Sequence, residues 1–137
     1  MSVPEGKRGE SKLDVFVKAK ALATYTIMIC CNEKIFLPKH QNALTDEIIK
    51  TSEKIFVDCW SANNIKVIDK DTYKERCYLQ KQAHRNCNNL IALIQIAQGL
   101  FHLKTKRLKY WGQMILDVRK LIAKWNESDR ERYKQYK

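Results

Sequence analysis

Glycine and proline are scarce in this chain, at four and two of 137 residues. All-β folds turn often and use these residues to do it, so their scarcity argues against a sandwich or barrel. No apolar run approaches the roughly 18 residues that a membrane span needs. The opening "MSVPEGKRGE" lacks the apolar stretch of a secretory signal, and residues 1–11 read as a disordered N-terminal tail. The five cysteines (Cys30, Cys31, Cys59, Cys77 and Cys87) are odd in number and include no Cys-x-x-Cys pair. That disfavours a disulfide framework or a zinc centre. Core packing is their expected role, and a reducing cytoplasm the expected location.

Signatures of catalysis are also missing. There is no Gly-rich phosphate loop, no Glu-x-x-His pattern of a di-iron bundle and no Arg-x4–6-His ribonuclease pattern. His40, His84 and His102 stand in unrelated contexts. His84 and Cys87 are three apart, with Cys77 two turns earlier, but a fourth ligand is not evident, so His84 reads as a satisfied core histidine. Carboxylates cluster only as Asp46–Glu47 and Asp69–Asp71, where capping and the helix dipole account for them. The expectation is a protein that is not an enzyme and holds no cofactor or metal.

What the chain does contain is helical periodicity. Val15, Phe16, Ala19, Leu22, Ala23, Thr26, Ile27 and Cys30 recur at three- and four-residue steps, predicting a first helix over 13–31 with Ser11 as N-cap. Pro38 breaks it. A second helix is predicted over 43–63, with Leu44, Ile48, Ile55, Cys59 and Ala62 inward. A third follows over 72–100, capped by Asp69 or Asp71 and seamed by Tyr73, Cys77, Gln80, His84, Cys87, Ile91 and Ile94. The fourth, over 105–126, has the most regular stripe: Leu108, Trp111, Ile115, Val118, Ile122 and Trp125, widened by Met114 and Leu121. Short connections then give an all-α fold, an antiparallel up-and-down four-helix bundle over 12–127 with a basic C-terminal tail over 128–137.

Carboxylates are scarce where cations are plentiful. The net charge is +11. Residues 1–43 hold seven Lys/Arg against four Asp/Glu, 44–71 hold four against six, and 72–137 hold fifteen against five. Nearly the whole excess lies in the last two helices, an asymmetry that suits a polyanionic partner. "KTKRLKYWGQM" at 104–114 contributes Lys104, Lys106, Arg107 and Lys109. Arg119, Lys120, Lys124, Arg130 and Arg132 follow, and the third helix adds Lys74, Lys81 and Arg85. Lys81 and Arg85, one turn apart, are spaced to straddle consecutive phosphates. These twelve residues are the predicted nucleic-acid-binding set. The competing readings are a solvated helix face and a bundle that binds an acidic protein.

Four segments carry a family resemblance: "KLDVFVKAKALATYT" (12–26), "EIIKTSEKIFVDCWSANN" (47–64), "RCYLQKQAHRNCNNLIALIQIA" (76–97) and "MILDVRKLIAKWNESDRERY" (114–133). Together they resemble the accessory variability determinant (Avd) proteins of bacterial and phage diversity-generating retroelements. Close cousins are bundle proteins encoded in intervening sequences of large ribosomal RNA genes. The resemblance implies a noncatalytic protein that assembles as a homopentameric barrel and binds a reverse transcriptase, template RNA and cDNA. A cousin without a reverse transcriptase partner is the alternative. Phe101, Leu103, Tyr110 and Met114 are expected to lie beyond the core of one bundle and to be buried between subunits.

Overall fold

The computed structural model describes residues 5–36, 44–101 and 103–136, with side chains from Asp14 onward. Four helices carry the chain: α1 (Glu5–Cys30), α2 (Asp46–Asn64), α3 (Lys70–Phe101) and α4 (Thr105–Arg132), followed by a short 3-10 turn at Lys134–Tyr136. No strand occurs among the described residues. Each helix packs against two others, α1 and α3 both lying on α2 and α4. The result is a helical bundle around one core.

The apolar stripes account for that core. Val15, Ala19, Leu22 and Cys30 of α1 are buried, as are Ile48, Ile55, Cys59 and Ala62 of α2. On α4, Trp111, Ile115, Val118, Ile122 and Trp125 are all buried, whereas Leu108, Met114 and Leu121 are half-buried at the stripe's edges. Each fully buried Ile or Leu contributes about 1.5–3 kcal/mol. Helix α1 meets α4 at two places along its length. Phe16 packs edge-on to Trp125 at 5.9 Å, and Trp111 Nε1 donates to Thr26 Oγ1 at 3.0 Å.

Backbone signals set the connections. Asp69 is the cap of α3: its Oδ1 accepts from Thr72 N at 2.8 Å, while Thr72 Oγ1 accepts from Asp69 N at 3.1 Å. This reciprocal box holds the Asp69 carboxyl below its ordinary range, chiefly through the Thr72 bonds. After α1, Asn32 O accepts from Ile35 N and Phe36 N. That turn folds Phe36 back into the core, 4.4 Å from the ring of Phe101.

Several expectations are corrected. Helix α1 begins at Glu5, so Ser11 lies inside it and not at its cap, and the segment read as tail is helical from Glu5. Helix α4 continues past Asn126 to Arg132. Phe101 and Leu103 belong to the core and not to an outer apolar surface; Tyr110 is exposed and Met114 half-buried. The seam of α3 keeps Tyr73, Gln80, Cys87 and Ile94, but its alternate positions are Arg76, Ala83 and Leu90, leaving Cys77, His84 and Ile91 only half-buried. Pro38, His40, Ala43, His102 and residues 1–4 lie outside the described residues.

Candidate nucleic-acid interface

Lys74, Lys81 and Arg85 recur at steps of seven and four, which aligns them on one outward line of α3 together with Asn88. That line borders α4, because Arg119 Nη1 donates to Asn88 Oδ1 at 2.6 Å. Arg119 therefore spans the groove between the two helices and is half-buried. Its charge reaches His84, whose pKa is lowered first by burial and then by this guanidinium. Further along α4, Arg130 lies close enough to Tyr73 of α3 to act on its hydroxyl, although burial is the stronger effect and raises that pKa. Lys74, Lys81, Arg85, Arg119 and Arg130 thus form one strip over the α3/α4 junction. Lys109 and Lys120 sit on the adjoining outward face of α4, both exposed.

The remaining predicted cations lie elsewhere. Arg107 is beside Tyr25 of α1, where its charge partly offsets the rise that burial causes in the tyrosine pKa. Lys106 stands one turn before Tyr110, whose ring meets Tyr25 at 5.2 Å, so it borders α1. Lys124 falls on the same line of α4 about five turns on. Lys104 is exposed just before α4, and the Arg132 guanidinium lies 5.8 Å from the Tyr133 ring. Among the described residues the ion pairs are Lys54–Asp58, Arg76–Asp129 and Lys134–Glu131, and none of the twelve cations takes part. Arg85 makes only a long 3.4 Å bond to Gln82 Oε1. Cations not neutralised within the protein are free to meet phosphates, and forked guanidinium groups can do so in bidentate fashion.

Under one end of the strip is a buried polar cluster that the sequence reading missed. The Arg76 and Asp129 side chains are 5% and 3% exposed, and Arg76 Nε donates to Asp129 Oδ2 at 2.6 Å while Nη2 donates to Oδ1 at 3.2 Å. Gln80 Nε2 donates to the same Oδ2 at 2.7 Å, and Gln80 Oε1 accepts from Asn126 Nδ2 at 2.7 Å. The guanidinium also lies 5.3 Å from the Trp125 ring and 5.8 Å from that of Tyr133. This clasp ties the start of α3 to the end of α4 and so fixes where Arg130 stands relative to Lys74. A signal for it exists in the sequence: Asp129 extends the α4 stripe by four from Trp125, and Arg76 follows Tyr73 by three.

Burial pushes the thiols of Cys30 and Cys87 up to about 12 and raises that of Cys59 as well, so these three are not thiolate nucleophiles at neutral pH. Among the described residues no group of three or more His, Cys, Asp or Glu side chains is placed to hold a metal ion. Among the same residues no helix is long and apolar enough to cross a membrane. Comparison of the chain with family models, curated proteins and solved structures finds no match.

Proposed function

We propose that this protein is a noncatalytic nucleic-acid-binding scaffold that acts in the cytoplasm as an accessory to a reverse transcriptase, holding template RNA and cDNA. The observation that carries the reading is the α3/α4 strip, whose cations have no carboxylate partner among the described residues. Capture is electrostatic. Lys81, Arg85 and Arg119 take phosphates along a backbone with little reading of base edges, so binding tolerates sequence and weakens with salt. The retroelement setting, the polymerase partner and a homopentameric barrel of antiparallel up-and-down bundles rest on the resemblance of the four helical segments. Exposed apolar side chains such as Trp60, Ile96 and Leu100 are available for burial in such an assembly. Five copies would bring the charge to about +55, and multivalency would add up individually weak phosphate contacts.

Light scattering with and without a structured RNA, across a salt series, tests this reading. A pentamer-sized species that takes up RNA at low salt and releases it steeply as salt rises is expected. A monomer indifferent to RNA would leave the bundle standing and remove the function.

A further inference from the structure

The strip on α3 and α4 leaves the opposite junction, between α1 and α4, without a role. An open groove of about 560 Å³ runs along it, lined by Val17, Lys20, Ala21, Thr24, Tyr25, Met28 and Met114. Val17, Ala21, Thr24 and Met28 follow steps of four, three and four, so they form one outward stripe about three turns long. Val17 is 55% exposed and Met28 68%, and exposed Tyr110 extends the apolar surface across α4. A stripe at this spacing is a seam without a partner. Two methionines and two tyrosines suit a surface that repacks around an inserted side chain.

Charge selects the occupant. Between Val15 and Asn32 the chain contains Lys18 and Lys20 and no carboxylate. From Lys104 to Leu116 the facing segment has Lys104, Lys106, Arg107 and Lys109 and again no carboxylate. The acids flanking these segments are Asp14, before the stripe begins, Glu33, beyond its far end, and Asp117, which already accepts a hydrogen bond from Gln113 at 2.9 Å. A second copy of this chain laid face to face would bring these cations against their own kind. An apolar stripe with basic edges is complementary to a helix that is apolar on one face and acidic along both flanks.

We propose that the α1/α4 groove is the docking site for an acidic-flanked amphipathic helix of a partner protein, with apolar side chains at i, i+4, i+7 and i+11 seated between Val17 and Met28. The carboxylates on its flanks would meet Lys20 on the side away from α4 and, on the α4 side, Lys18, which shares the line of Tyr25, with Lys106 and Arg107. The proposal is independent of the nucleic-acid reading, because the two surfaces lie on opposite sides of α4.

The test is a displayed library of 18-residue helical peptides, apolar at those four positions and carrying Glu, Lys or Gln at the flanks. It is selected against the full chain at physiological salt. Enrichment of Glu-flanked peptides is expected, with affinity, read by fluorescence anisotropy, falling about tenfold or more in each of Val17→Glu and Met28→Glu. Both positions are exposed, and unchanged circular dichroism would show the fold intact. Lys81→Glu/Arg85→Glu should leave peptide binding unaltered while acting on RNA; the groove variants should do the reverse. The proposal is overturned if no peptide is enriched, if Lys- or Gln-flanked peptides win, or if the groove variants bind as well as wild type. It is overturned equally if those variants dissociate a wild-type self-assembly, since the groove would then seat a second copy.

Discussion

Removing the Asp129 carboxylate strands three donors at once: Arg76 Nε, Arg76 Nη2 and Gln80 Nε2. The Arg76 side chain is only 5% exposed, so water cannot replace the lost acceptor without opening the end of the bundle. Breaking a buried pair from one side costs about 3–5 kcal/mol, because the other charge stays buried and unpaired. Asp129→Ala is therefore expected to cost about 4 kcal/mol, a large part of the roughly 5–15 kcal/mol that holds a domain folded. In urea melts followed by circular dichroism, with a slope of about 2 kcal/mol per molar, the midpoint should fall by roughly 2 M. Asp129→Asn keeps one oxygen for Arg76 Nε and Gln80 but turns an amide N–H toward Arg76 Nη2, so a loss nearer 2 kcal/mol is expected, about half as large. Arg76→Met with Asp129→Leu should recover most of the deficit, less the cost of the orphaned Gln80 Nε2, since apolar replacement of a whole buried pair is often neutral. A loss below about 1 kcal/mol for Asp129→Ala would refute the reasoning, because the guanidinium would then have to be solvated in the folded protein.

Further outcomes follow from other parts of the core. Thr26→Val leaves the buried Trp111 Nε1 without its acceptor and should cost about 1–3 kcal/mol in the same melts. A cost of zero would mean that the indole finds another partner. His84 should titrate below its ordinary value of about 6.5 by NMR, and Arg119→Gln should return only part of that shift, because burial is its larger cause. Since the unfolded chain binds the His84 proton more readily, this residue's contribution to stability is present above about 6.5 and lost as pH falls through the lowered folded pKa. A titration above 6.5 would contradict the placement. Cys31, exposed, should react with a thiol reagent at once, while Cys30, Cys59 and Cys87 wait for unfolding; equal rates for Cys30 and Cys31 would overturn the assigned register of α1.

The regular stripe of α4 was legible because nothing competes with it, and Trp111 through Trp125 are buried as their spacing predicts. On α3 two spacings continue from Tyr73: the predicted seam through Cys77, His84 and Ile91, and another through Arg76, Ala83 and Leu90. The first looks right because it keeps a charge out of the core. The second is the one the fold takes, because Asp129, 53 residues away, neutralises that charge. A single helix cannot reveal this, and Asp129 itself sits in "ESDRERY", which reads as solvated tail. The cations of the candidate interface were legible as a set, but their division between the α3 and α1 sides of α4 depends on helix pairing. Arg119 reaching Asn88 and Arg107 lying near Tyr25 mark that division. Phe101 was misread for a related reason: its core position depends on Phe36 folding back after α1.

The most direct test of the central claim is the salt dependence of RNA affinity for wild type and for Lys81→Glu/Arg85→Glu. If the strip holds phosphates, log affinity falls linearly with log salt, and the double variant binds more weakly with a slope reduced by roughly 1–2. If the variant keeps wild-type affinity and slope, the α3/α4 strip is not the nucleic-acid surface, and the proposed function falls with it.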